Sequence, residues 1–217
     1  MNKVIKTLII IITFFLLIFF MQMAYKSIRT GNNINKSSND LIQDILNLSS
    51  YEAKLEVTIN SNKTTNKYVL EQYYLAPNYC KQIVKEPKSI ENLEIIYNEN
   101  KLEIKNTNLG LNKIYENYDY LNENLLWFNF LIGNCKENHT FIENEAEIVL
   151  ETNIEKYGYR AKIYISKTTS LPTKIEILDN NNKNKIYIEY KEIKLNNIQE
   201  NNIFAIKTKD IKEKYNF

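Results

Sequence analysis

Glycine is nearly missing: only 4 are present in 217 residues. A phosphate-cradling loop needs several glycines at fixed spacing, so glycine-rich nucleotide motifs are excluded. Proline occurs 3 times, which rules out a collagen-like or proline-rich chain. A single histidine, His139, sits in a polar Glu-Asn-His-Thr stretch, and neither a second histidine nor a cysteine lies near it. Metal-ligand spacing is therefore absent, and a solvated surface position is expected. There is no nucleophile elbow and no Cys-x-x-Cys pair. Excess charge of one sign is also lacking. The 28 basic and 26 acidic residues nearly cancel, and two of the basic ones, Lys3 and Lys6, precede the first apolar run. A nucleic-acid partner would require a basic footprint, so none is expected.

One long apolar run is present. No charge interrupts residues 7–25, whose centre is almost wholly Leu, Ile and Phe. At ~1.5 Å per residue it spans roughly 28 Å, close to the hydrocarbon thickness of a bilayer. A cleaved signal peptide would want small residues at its end, and Gln22 before Ala24 fits poorly. A lipoprotein signal would want a cysteine just after the run, where there is none. Residues 1–25 are thus expected to be a permanent single-pass anchor at the cell membrane. Lys3 and Lys6 hold its start inside, although Lys26 and Arg29 flank the other end. Residues 26–38 read as a polar linker and residues 39–217 as one extracytoplasmic domain.

The domain begins with helical spacing. Ser38 or Asn39 can cap a helix starting at Asp40, with Leu41, Ile42, Ile45, Leu46 and Leu48 on one face. The period then changes to two. Ala53, Leu55, Val57 and Ile59 alternate with polar residues, and similar runs recur to Tyr190. Asn62, Lys63 and Thr64 suit a hairpin turn. Residues 142–150 read as one strand, on whose wet face Glu143, Glu145, Glu147 and Glu151 would lie. Residues 121–132 are apolar on nearly every side, and Gly133 can close them as a buried helix. The expected fold class is mainly β with added helices, built on a large, curved antiparallel sheet. Asn47, Asn62 and Asn138 each match a glycosylation acceptor pattern, which is cheap in an Asn-rich chain.

Aromatic residues are abundant, with 16 Tyr, 9 Phe and 1 Trp. They cluster at Tyr73 and Tyr74, at Tyr115, Tyr118 and Tyr120, and at Trp127, Phe128 and Phe130. Ordinary core packing and an aromatic binding surface both account for them. Leu55, Val57, Tyr73, Trp127, Phe128 and Leu131 are the candidates to line a cavity or partner surface. Cys80 and Cys135 could form a disulfide pinning the central helix to the sheet, or stand as two separate thiols. No catalytic residue, metal or cofactor is indicated.

The order of elements carries a resemblance. A helix ending in Leu48-Ser49-Ser50-Tyr51-Glu52-Ala53 enters a long strand, and a hairpin strand ends in Tyr74-Leu75-Ala76-Pro77-Asn78. A strand pair follows around a turn at Asn98-Glu99-Asn100, a further strand starts at Leu171-Pro172-Thr173-Lys174-Ile175, and the stretch from Asn196-Asn197-Ile198 to Ile203-Phe204 closes the pattern. Across roughly residues 38–207 this resembles the LolA-like family of lipoprotein carriers, which implies an unclosed half-barrel with helices over a hydrophobic cavity. Tyr51-Glu52-Ala53-Lys54 and the Asn/Lys/Ile-rich composition most resemble the GerS-like spore germination proteins of clostridia. That likeness implies a partner, a CwlD-like N-acetylmuramoyl-L-alanine amidase of the spore cortex, with the domain in the forespore intermembrane space. The broader family implies a bound lipid or lipoprotein instead. An envelope-stress sensor, a third role seen among LolA-like domains, would need more cytoplasmic chain than precedes residue 7.

Overall fold

The computed structural model describes residues 36–198, apart from 78, 99 and 119–123. The expected anchor, Tyr120 and Phe204 lie outside the described residues. No helix among the described residues is long and apolar enough to cross a membrane.

Helix α1 (Ser38–Leu46) starts slightly earlier than its spacing predicts, because Ser37 is the cap. Ser37 Oγ accepts the Asp40 N–H, and the Asp40 carboxylate accepts the Ser37 N–H in return. Leu41, Ile42, Ile45 and Leu46 are buried along one stripe. Six strands follow as a meander: β1 (Ser50–Asn60), β2 (Thr65–Leu75), β3 (Tyr79–Glu86), β4 (Glu94–Asn98), β5 (Lys101–Asn106) and β6 (Leu111–Glu116). Ser61 and Thr64 close the first hairpin, with the Ser61 N–H 2.8 Å from the Thr64 carbonyl. Gly110, at φ 62°, ends a 3-10 turn before β6 in the left-handed region.

Helix α2 (Phe128–Glu137) separates this meander from a second one. The second comprises β7 (Thr140–Glu143), β8 (Glu147–Ile154), β9 (Tyr159–Ser166), β10 (Pro172–Leu178) and β11 (Asn184–Leu195). Strand β11 returns to pair with β1, so the described residues form one 11-stranded antiparallel sheet. Its order is β6-β5-β4-β3-β2-β1-β11-β10-β9-β8-β7, curved and unclosed, with β6 and β7 as edges. This is the large, curved antiparallel sheet that the strand pattern implied, in the half-barrel form that the resemblance implied.

Two elements differ from the sequence reading. The central helix begins seven residues later than expected, and Gly133 lies inside it, exposed, with open space where a side chain would be. The expected single strand over 142–150 is two strands. Asn144 Oδ1 accepts the N–H groups of Ala146 (2.8 Å) and Glu147 (2.9 Å), folding the chain back at that point. Glu143, Glu145, Glu147 and Glu151 therefore share no single strand face.

Candidate functional site

The strand alternation sends Tyr51, Ala53, Leu55 and Val57 of β1 to the concave face. Register places Leu70, Gln72 and Tyr74 of β2 beside them, and then Val84, Gln82 and Cys80 of β3. Helices α1 and α2 fill this concavity. Trp127, Phe128, Leu131 and Cys135 have no exposed surface, and they join Leu41, Ile45, Ile163, Ile175 and Ile188 in one core. Of the candidate cavity residues, Leu55, Val57, Trp127, Phe128 and Leu131 thus come together as packing. The Tyr51 ring touches those of Tyr74 (5.6 Å between centroids), Trp127 (6.5 Å) and Phe128 (5.9 Å, edge-on).

A buried polar network that the sequence reading missed holds the start of α2. The Tyr51 hydroxyl donates to Gln72 Oε1 (3.1 Å) and accepts the Phe128 N–H (3.4 Å). Gln72 Nε2 donates to Gln82 Oε1 (2.9 Å) and to the Leu126 carbonyl (3.1 Å). The first-turn N–H of a helix has no partner within the helix, so the Tyr51 hydroxyl supplies what a capping side chain would, and Gln72 holds that hydroxyl and the Leu126 carbonyl in place. The available signal was parity: Gln72 and Gln82 occupy inward positions of their strands. Burial raises the Tyr51 hydroxyl's pKa well above the ordinary tyrosine value, which keeps it a neutral donor. Tyr190 Oη is also buried, beside Phe128 (6.0 Å between centroids), and has no hydrogen-bond partner among the described residues.

The structure places three of the features singled out in the sequence. Tyr73 faces the convex side, opposite Gln72 and Tyr74, and lines a surface groove with Glu52, Lys54, Glu192 and Lys194. Cys80 and Cys135 are separate thiols, both buried, and the bridge is not formed. His139 is half-buried, its Nδ1 donating to the Cys135 carbonyl at 2.6 Å. Among the described residues no group of His, Cys, Asp and Glu is placed to hold a metal ion.

The convex face carries the opposite chemistry. Cross-strand ion pairs cover it: Lys54–Glu192 (3.2 Å), Lys81–Glu94 (3.1 Å), Lys85–Glu71 (3.1 Å) and Lys162–Glu151 (2.9 Å). The exposed large apolar side chains lie at the two edges of the sheet. Leu109, Ile114, Tyr115 and Tyr118 flank β6, and Phe141 and Ile142 lie on β7. Tyr115 and Tyr118 pack against each other with centroids 6.1 Å apart.

The sequence matches the family described as Sporulation protein YdcC-like over residues 5–204. The chain belongs to the YdcC-like sporulation family. That match begins two residues before the N-terminal apolar run and includes every strand described above. No curated protein matches the chain in sequence. Similar solved structures include the GerS lipoprotein in complex with the CwlD amidase from Clostridioides difficile. That match is 25% identical and covers 73% of this chain and 95% of that one, with a TM-score of 0.46. A LolA superfamily protein from Nitrosomonas europaea is 10% identical, covering 77% and 97%, with a TM-score of 0.41. An uncharacterized conserved protein from Thermus thermophilus is 13% identical, covering 76% and 91%, with a TM-score of 0.48.

Proposed function

We propose that this YdcC-like chain is a non-catalytic, membrane-held adaptor of sporulating cells. Its extracytoplasmic domain binds a cortex N-acetylmuramoyl-L-alanine amidase, as the GerS-like residues of β1 imply. Membership of a sporulation family over residues 5–204 carries the reading. Geometry supports a surface rather than a cavity as the binding element. The concave face is occupied by Trp127, Phe128 and Leu131, and the convex face is neutralised by its own ion pairs. Of the two apolar edges of the sheet, the one at β6 carries the paired tyrosines. Exposed Tyr115 and Tyr118 offer large, rigid contact area of the kind that dominates interfaces.

The test is titration of the purified full chain with a purified cortex amidase from the same cells. Saturable binding is expected. Replacing Tyr115 and Tyr118 with serine should weaken it by roughly 30-fold or more, the effect of an interface hot spot. Both rings are exposed, so the variant's unfolding midpoint should stay near that of the parent. Absence of binding by the parent chain would sink the adaptor reading.

One observation favours a second reading, a carrier of lipid or lipoprotein. The unpartnered Tyr190 hydroxyl beneath α2 is a polar group that a ligand could satisfy if the helix moved aside. Extraction of the purified chain followed by mass spectrometry decides it. A stoichiometric acyl chain would support a carrier, and none would leave α2 as fixed core.

A further inference from the structure

The two apolar edges of the sheet differ in where the chain attaches to the domain. Ser38, at the start of α1, donates its hydroxyl to Glu143 of β7, and Lys167 pairs with the same carboxylate at 3.0 Å. The entry into the domain is therefore fixed beside β7. The sheet order puts β6 at the far side, ten strand steps away at ~4.8 Å each along the curved sheet. The apolar run ends at residue 25 and the described chain begins at 36. At ~3.5 Å per residue, the eleven steps between them reach at most about 39 Å, whatever their conformation. A bilayer holding residues 7–25 thus lies within that reach of β7.

Strand β7 is dressed for such a neighbour. Ile142 is 66% exposed, the most of any large apolar side chain described, and Phe141 beside it is 39% exposed. All four residues of β7 are exposed, and one long side of the strand has no partner in the sheet. Lys36 and Lys167 lie at the same corner, each already paired with a carboxylate, so the corner presents no net repulsion to a lipid surface. An exposed isoleucine and phenylalanine on a sheet edge cost solubility unless something covers them.

We propose that the Phe141–Ile142 edge rests in the lipid headgroup region and orients the domain, so that β6 faces away from the membrane. This rests on the reading of residues 7–25 as an anchor. It assigns the two edges separate tasks: β7 to the bilayer and β6 to the amidase. Side chains of this kind enter the interface by roughly 5–10 Å, shallow enough for the strand backbone to stay hydrated.

The buried native thiols permit a clean test, because Cys80 and Cys135 are inaccessible in the folded chain. The full chain carrying Ile142→Cys, or Ile114→Cys on β6 as reference, is labelled with an environment-sensitive fluorophore. Each is reconstituted into vesicles of phosphatidylethanolamine and phosphatidylglycerol with or without brominated acyl chains. The expected result is a blue shift and loss of emission at position 142 on bromination, with no change at 114. Equal quenching at both positions, or none at 142 in chains that sediment with the vesicles, overturns the proposal and leaves the anchor standing. A signal at 142 that responds to added amidase and not to bromination makes β7 a protein edge and also overturns it. Failure of the parent chain to sediment with vesicles removes the anchor, and the orientation proposal falls with it.

Discussion

The concave and convex faces of the sheet are made by the same strands, through the same period-two alternation, and end in opposite states. Toward the helices, Leu55, Val57, Ile163 and Ile188 are removed from water, and Tyr51, Gln72 and Gln82 are bonded into a chain. On the other side, lysine and glutamate pair across strands in solvent. Stability should therefore be concentrated on the concave side, and substitutions of equal size should give unequal effects on the two faces. The faces are self-sufficient, which is why the edges carry the functional proposals.

The largest effect is expected at Trp127. Trp127→Ala empties fully buried volume beside Tyr51 on the concave face, and such truncations cost about 3–5 kcal/mol. Chemical denaturation measures it. A loss below about 1 kcal/mol would mean that the site can close or was never tightly filled, and would favour a ligand cavity.

Alkali should act on the same face. Burial pushes the Cys135 thiol from its ordinary 9.0 up to about 12, and Cys80, Tyr51 and Tyr190 are shifted in the same direction by burial. A group whose folded pKa is raised contributes stability that is intact below its unfolded value. It loses that contribution as pH climbs toward the folded value, because the unfolded chain releases the proton first. Stability should thus fall from about pH 9 upward, each such group adding at most ~1.4 kcal/mol per pH unit. Thermal midpoints recorded against pH test this. Cys135→Ala should flatten the decline, and an unchanged slope would show that its thiol is not sequestered.

Gln72 comes next. Gln72→Leu keeps the volume but strips partners from the Tyr51 hydroxyl, Gln82 and the Leu126 carbonyl, all buried or nearly so. A loss of roughly 1–3 kcal/mol is expected from leaving such groups unbonded. Faster amide exchange at Phe128 should accompany it, since that N–H bonds to the tyrosine that Gln72 orients. Unchanged exchange would mean that α2 is held by packing alone.

What the sequence disclosed about these faces was uneven, for physical reasons. Ala53, Leu55 and Val57 announced their strand because alternation there is unbroken. The β7–β8 hairpin was hidden because Ile142 and Ala146 kept the apolar parity across a turn made by one asparagine. Helix α2 was misplaced because residues 121–132 are apolar on every side, which gives no phase, and because Trp127 supplies no side-chain cap. Gly133 was read as a stop, yet a helix that packs with its opposite side tolerates an exposed glycine. Tyr73 was grouped with Tyr74 by adjacency, although neighbours in a strand face opposite ways. The polar network was illegible by composition alone, since glutamine at an inward position declares itself only once its partners are known.

The smallest effect is expected on the convex face, and it sharpens the comparison most. Lys54 and Glu192 stand 3.2 Å apart with more than half of each side chain in water. Lys54→Ala should change stability by no more than about 0.5 kcal/mol, because solvent screens the pair and ordering two long side chains offsets the attraction. Lys81 is the internal control. It pairs with Glu94 at 3.1 Å on the same face, but only 9% of its side chain is exposed. Lys81→Ala removes packed methylenes and a partner of a half-buried carboxylate, so its cost should exceed that of Lys54→Ala under the same denaturation conditions. If the two substitutions cost the same, burial is not what separates ion pairs on this sheet, and the division of labour between its faces is less sharp than the side-chain exposures imply.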